Sequence, residues 1–301
     1  MDVRQLQYFL AVVDEGGVHA AAEKLLVAQP SVSQSLRSLQ RDIDADLFTR
    51  SGRRLQLTAA GEALIGPARQ VLHWVDLSRA HVEAVTGLRT GRLVLATMPS
   101  QAVDPLPSVI DLFVRKYPMV QVSIRSAGTP QAVTALVRSG GVELGVMAVT
   151  DGPDTEGLVV HPLVRQGFIV LSSREANLPP RGPLTYEQLE GERLIVGQPG
   201  TGMRRVADQV IAANESTIPV VETEYREAIL PMVLQGTAIA IIAEPWRAPA
   251  RAMGLVVHDL VTDERLETSI VHGDTELSPA ARAFLLLAVP NAGGLGSMPF
   301  G

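Results

Sequence analysis

Near residue 91 the apolar pattern of this chain changes period, and a single layer of one structure type cannot satisfy both parts. Upstream, Leu6, Phe9, Leu10 and Val13 recur at i, i+3, i+4, i+7, one stripe of a helix. "EGG" at 15–17 stops that helix. Val18, Ala21, Ala22, Leu25 and Leu26 form a second set, and after a turn of three or four residues Val32, Leu36, Leu39 and Ile43 form a third. Short helices linked in this way have helix-turn-helix spacing. Downstream, strands alternate with helices: "RLVLAT", "LPSVIDLFVRKY", "VQVSIR", "PQAVTALVRSG", "VELGVMAV". A second set starts near residue 164 with "FIVLS" and "RLIVG", a helix from about 201, "VVETEY", a helix over 226–235 and "AIAIIA". "ETSIVH" and "SPAARAFLLLAV" close the pattern. Alternation of this kind predicts parallel α/β sheets, here two small lobes with a cleft between them.

Between these parts, residues 57–85 read as one long helix with Thr58 as N-cap and Glu62 in the first turn. Leu64, Ala68, Val71, Val75, Ser78, Val82 and Val85 alternate steps of four and three, a seam for pairing with another helix or for packing on the helix's own domain. Pro67 removes one backbone bond and is expected to kink the rod. "GLRTG" (87–91) reads as a hinge, and "NAGGLGSMPFG" has no periodicity and is expected to be disordered. The fold class is therefore α/β with an N-terminal all-α winged helix-turn-helix, a long linker helix and a two-lobed α/β domain. The expected segments are 1–58, 59–90, and 91–290, with lobe 1 over about 91–163 and 268–290 and lobe 2 over about 164–267.

The third helix carries the first candidate site. "VAQPSVSQSLRSLQ" (27–40) has one charge, Arg37. Pro30 fits the first helical position, where its missing N–H costs nothing, with Gln29 just ahead. Gln29, Ser31, Ser33 and Gln34 are short or amide side chains able to hydrogen-bond base edges in a major groove, and Arg37 can take a guanine or a phosphate. The spacing alone equally fits a polar-faced helix on a globular surface. In the next segment Arg50, Arg53 and Arg54 surround Gly52 between the anchors Leu47–Phe48 and Leu55/Leu57, and Thr58, which follows, is counted with them among the DNA-contacting residues. An arginine-tipped turn beside a helix-turn-helix is a wing that grips phosphates. The net charge of −6 argues weakly against nucleic acid, but its distribution matters more. Residues 1–60 hold seven basic and seven acidic side chains, and residues 91–301 hold 16 and 22, so the acidic excess lies downstream.

The run from Leu6 to Leu72 resembles the N-terminal segment of the LysR-type transcriptional regulators. Phe9, Ala21–Ala22, Gln29–Pro30, Ser33, Leu47–Phe48, Arg50, Leu57–Thr58 and Ala60–Gly61 match that family's pattern. "SGGVELGVMA" is similar to its Gly-x-Leu-Asp strand entry, with Glu143 for aspartate. Four positions depart: Gly17 where Ser or Thr opens helix two, Ala20 for a basic residue, Asp44 for glycine and Gln40 for glutamate. These departures weaken single caps and phosphate contacts. The resemblance implies a bacterial regulator that binds double-stranded DNA at a partly palindromic operator. It implies a homodimer or a homotetramer built as a dimer of dimers, and a small-molecule effector bound between two lobes similar to periplasmic binding proteins.

Physical reasoning places that effector at helix N-termini beyond strand ends, where free N–H groups favour an anion. The candidates are Pro99, Ser100 and Gln101 after the first strand, Gly128 and Thr129 before the next helix, and Gln198 and Thr201 in lobe two. "GQPGTG" lacks the Gly-Lys-Ser/Thr of a nucleotide loop. The six histidines show no metal-ligand spacing, no Gly-x-Ser-x-Gly elbow occurs, and the chain has no cysteine. No enzyme activity, metal or cofactor is expected. No apolar run reaches the roughly 20 residues of a membrane span, and the N-terminus is no secretory signal, so a soluble cytoplasmic protein without a membrane partner is expected. The alternative is a solute-binding or cleft-enzyme module carrying a helical dimerisation segment.

Overall fold

The computed structural model describes residues 1–51, 54–84, 91–150, 152, 155–179 and 182–289. Arg53, Gly52, Val85, most of the expected hinge and the tail 291–301 lie outside the described residues, as do the side chains of Arg50 and Arg54. The chain divides into two compact units, one built on residues 1–87 and one on residues 88–137 and 142–301.

The first unit begins with α1 (Val3–Glu15), α2 (Val18–Leu25) and α3 (Gln29–Asp42). A capping box opens α1: Asp2 Oδ1 accepts from Gln5 N at 2.8 Å, and Gln5 Oε1 accepts from Asp2 N at 2.7 Å. Gly16, at φ 72°, ends it in the left-handed conformation that glycine adopts freely. The strands β1 (Phe48–Ser51) and β2 (Arg54–Leu57) pair antiparallel, and α4 (Ala59–Ala84) follows. Leu6, Phe9, Leu10, Ala21, Ala22, Val32, Leu36, Leu39, Leu47 and Ala68 form one buried core. Phe9 is fully buried, its ring 5.6 Å from that of Phe48, so the core of the helices extends under the strands. The helix α4 continues through Pro67.

In the second unit, β3 (Gly91–Thr97), α5 (Leu106–Lys116), β4 (Val120–Ser126), α6 (Pro130–Arg138), β5 (Leu144–Val149) and β6 (Leu158–Gln166) come first. Then come β7 (Phe168–Ser172), β8 (Arg193–Gly197), α7 (Gly202–Ala213), β9 (Ile218–Thr223), α8 (Arg226–Leu234), β10 (Ile239–Ala243), α9 (Arg247–Ala252) and β11 (Val256–Asp259). The strand β12 (Leu266–Gly273) and α10 (Pro279–Ala288) complete it. Two five-stranded sheets result, in the orders β4-β3-β5-β12-β6 and β11-β7-β10-β8-β9. In the first, alternation along β3 sends Leu93 and Leu95 to a face shared with Phe113 and Phe284, and Ala96 to a face shared with Val133 and Met147. The second sheet has its own core, with Ile169, Leu171, Ile195, Val206 and Ile241 all buried.

Two features differ from the sequence reading. Both sheets are mixed, because β12 runs antiparallel to β5 and β6, and β7 antiparallel to β10 and β11. The strand β6 also keeps the chain in the first sheet to Gln166, where lobe two was expected from about 164. Its "LVVHPLVRQ" contains Pro162, which reads as a strand breaker. A proline is tolerated there because β6 is an edge strand, and Pro162 faces Ser269 next to a register shift between Thr268 and Ser269.

His161 on β6 and His272 on β12 stack at 5.2 Å, with their Nε2 atoms 3.1 Å apart. Burial first, and the neighbouring His272 second, hold the His161 imidazole below the ordinary histidine range. A histidine kept neutral in the fold takes up its proton more readily when unfolded. Stability is therefore intact above about pH 6.5 and is lost as pH falls from there through the depressed value. Thermal unfolding followed from pH 7.5 to 5 is expected to show this fall, and His161→Phe is expected to flatten it.

Candidate nucleic-acid interface and ligand cleft

The helix α3 is held by one face and free on the other. Val32, Leu36 and Leu39 are buried in the core, while Gln29, Pro30, Ser31, Gln34 and Arg37 are exposed and Ser33 is half-buried. The first four of the polar set, Gln29, Ser31, Ser33 and Gln34, make no side-chain hydrogen bond to a described residue. Gln29 is the first helical residue and Pro30 the second, one place later than expected. The correction changes little, because the second N–H of a helix also lacks an intrahelical acceptor. Ala28 stands at the N-cap and supplies no side-chain cap, while its carbonyl accepts from Ser31 N at 2.9 Å.

The wing is tied to this helix by a residue that the sequence reading counted only as a departure. Gln40 Oε1 accepts from the backbone N of Leu47 at 3.0 Å and of Phe48 at 3.4 Å, anchoring the approach to β1. Asp44 takes φ 51°, a left-handed conformation that aspartate tolerates where the family has glycine. Gly17 gives α2 no side-chain cap. Asp42 is engaged by the N-terminal amine at 2.8 Å and by Gln5 Nε2 at 3.1 Å; the first holds its carboxyl below the usual range, and the second adds to this. One negative charge near α3 is thereby offset. Thr58, placed with the DNA-contacting set, spends its hydroxyl internally: Oγ1 donates to the Asp46 carbonyl at 2.6 Å and accepts from Gly61 N at 3.0 Å. Along α4, Leu64 and Ala68 join the core, whereas Val71, Trp74 and Val82 are exposed large apolar residues.

In the second unit two adjoining cavities lie at the strand ends. A narrow one of about 20 Å³ is lined by Pro99, Ser100, Gln101, Thr201, Met203 and Arg226 among others. A larger one of about 690 Å³ lies between α6 and α7 and shares Ala148, Thr201 and Gly202 with it. The structure thus brings Pro99, Ser100, Gln101 and Thr201 together. Ser100 Oγ accepts from Trp246 Nε1 at 3.1 Å, leaving its own proton to donate. Gln101 Nε2 reaches Gln166 Oε1 at 3.4 Å, and Gln101 Oε1 is buried without a partner among the described residues. Thr201 caps α7, accepting from Arg204 N at 3.3 Å and donating to the Gln198 carbonyl at 2.9 Å. Gly128, Thr129 and Gln198 line neither cavity. Gln198 Nε2 instead donates to the Gly128 carbonyl at 2.8 Å, joining the two lobes, and a Cβ at residue 128 would lie 2.4 Å from that nitrogen. Thr129 Oγ1 accepts from Ala132 N at 3.2 Å in the first turn of α6.

Arg226 escaped the sequence reading. It sits in "EYRE", an ordinary charged helix start, and only the tertiary fold buries it to 3% exposure.

The comparisons with known proteins agree with this geometry. Residues 3–62 match the model described as bacterial regulatory helix-turn-helix protein, lysR family, and residues 86–291 match the LysR substrate binding domain. The chain is 28% identical over 249 residues to the transcriptional regulator ClcR of Pseudomonas putida, covering 81% of this chain and 83% of ClcR. It is 27% identical over 292 residues to the transcriptional regulator TdfR of Cupriavidus pinatubonensis, covering 96% of this chain and 98% of TdfR. Among solved structures, full-length CbnR in complex with its target DNA superposes with a TM-score of 0.71 at 22% identity, covering 97% of this chain and 100% of CbnR.

Proposed function

The chain belongs to the LysR family of transcriptional regulators, which bind DNA under the control of an effector, and from that premise we propose how its own residues divide the work. Gln29, Ser31, Ser33 and Gln34 face base edges in a major groove, and Pro30 aims the front of α3. Arg37 takes a guanine or a phosphate, and Arg50, Arg53 and Arg54 hold phosphates from the wing. Residues 1–58 form the DNA-binding domain, 59–90 the linker, and 91–290 the effector domain. Two chains pair through the α4 seam, so two copies of α3 meet a partly palindromic site. The observation that carries this reading is the helix α3 itself: three apolar residues fix it, and its exposed polar groups have no partner within the described protein.

The effector is placed in the cleft lined by Pro99, Ser100, Gln101 and Thr201, with Gly128, Thr129 and Gln198 setting how the lobes close. An effector that binds one lobe arrangement more tightly shifts the population toward it, and with it the spacing of the two DNA-binding domains. The protein acts by this binding alone, without catalysing a reaction, and in the cytoplasm; no described helix is long and apolar enough to cross a membrane. The alternative of a solute-binding or cleft-enzyme module loses its footing, because residues 3–62 match a helix-turn-helix family and not merely a dimerisation segment.

A binding titration on the DNA flanking the gene, run across a salt series, tests the electrostatic half of this reading. Affinity is expected to fall linearly on logarithmic axes as salt rises. Arg37→Ala is expected to weaken binding and, if its contact is a phosphate, to reduce the slope by roughly 0.9. Binding independent of salt would contradict the phosphate assignments.

A further inference from the structure

We propose that the effector of this protein carries a single carboxylate and that the buried guanidinium of Arg226 is its binding partner. The inference rests on the reading of the interlobe cleft as the effector site and names the chemistry of its inner end.

Arg226 is 3% exposed. Its Nη1 donates to the Thr223 carbonyl at 3.0 Å, and among the described residues no carboxylate pairs with it. Burying a cation in this way is costly unless an anion joins it. The surroundings are shaped to keep the group there. Gly197 lies against the guanidinium, and a Cβ at that position would come 2.9 Å from Nη2 and 3.1 Å from Nη1. Burial also makes this guanidinium less basic than usual, and the charge of the neighbouring Glu227 only partly opposes that effect.

Arg226 lines the narrow cavity together with Ser100, whose hydroxyl proton is free because its oxygen already accepts from Trp246. A planar carboxylate suits a guanidinium fork plus one hydroxyl donor. A tetrahedral dianion does not suit it as well. No second cation lines this cavity, and at about 20 Å³ it is close to the size of one water. Met203 and Leu266, on its apolar side, would part slightly to admit the group.

The rest of the ligand would occupy the adjoining 690 Å³ cavity. Its arginines are already matched, Arg204 to Asp208 at 2.8 Å and Arg205 to Glu264 at 3.2 Å, so they do not call for further negative charge. Among the described residues, no aromatic side chain lines either cavity. The fitting ligand is thus a monocarboxylate with a neutral, partly polar tail.

Thermal unfolding of the full-length protein tests this with sodium formate, acetate, propionate and lactate. The corresponding amides, and sodium chloride at equal ionic strength, serve as controls. At least one carboxylate is expected to raise the unfolding temperature of the second unit by roughly 2–4 °C, and its amide is not. Arg226→Met is expected to lose that rise and, without ligand, to melt no lower than the parent protein, since it removes an unpaired buried charge. A lower ligand-free melting temperature would overturn the inference by making Arg226 a structural residue. So would equal stabilisation by the amide, or no stabilisation by any of the carboxylates. If the rise survives Arg226→Met but is lost in Ser100→Ala, the cleft reading stands and the carboxylate inference falls. If it survives both, the cleft reading falls as well.

Discussion

Replacing Gly61 with alanine is expected to unfold the DNA-binding unit, abolishing operator binding while the second unit stays folded. Gly61 is the third residue of α4, and a Cβ there would lie 2.2 Å from the carbonyl oxygen of Leu47 and 2.7 Å from Leu57 Cδ2. The Leu47 oxygen cannot move aside cheaply, because it accepts from Thr58 N at 3.0 Å. Leu47 N is meanwhile held by Gln40 at 3.0 Å, so a shift would loosen the wing from α3. Overpacking in a core typically costs 1–3 kcal/mol, and a clash with fixed backbone lies at the upper end, about 3 kcal/mol or more. Calorimetry on the full chain should show the transition of the first unit lowered or lost and that of the second unchanged. An unaltered first transition would contradict the packing described.

The second large effect is Phe284→Ala. Phe284 is fully buried, its ring edge-on to that of Phe113 at 5.5 Å, and Phe113 in turn lies 5.1 Å from Tyr117. The ring joins α10, at the end of the chain, to α5 over the first sheet. Removing a buried phenylalanine costs about 3–5 kcal/mol through lost transfer energy and the cavity left behind. In a unit of this size that lowers the unfolding temperature by roughly 6–20 °C. The same calorimetric trace reads it, now in the second transition, with the first unaffected.

Much of the first unit was legible because its helices are short, amphipathic and punctuated. Leu6, Phe9 and Leu10 announced α1, "EGG" ended it, and the polar front of α3 stood out by its lack of charge. Gly61 was legible as part of a motif but not in its reason, which is the approach of a carbonyl fourteen residues earlier in the chain. Gln40 read as a departure because its work, binding two backbone N–H groups of the wing, depends on how α3 and β1 meet. The strand β6 was not among the strands read from the sequence, and its Pro162 is tolerated by an edge position that local pattern does not encode. Arg226 was missed for a related reason. A charged residue at a helix start is ordinarily solvated, and only the assembly of β8, β9 and α8 around it takes it out of water.

The central claim is that α3 reads bases and not only phosphates. Its most direct test is the ratio of affinities for the operator and for a scrambled duplex at one salt concentration, in the parent protein and in Gln29→Ala and Gln34→Ala. Loss of a bidentate amide–adenine pair is worth about 1–3 kcal/mol, so at least one variant is expected to lose roughly 5- to 150-fold of that ratio while its affinity for the scrambled duplex holds. If both variants keep the full ratio, the assignment of these side chains to base edges is wrong.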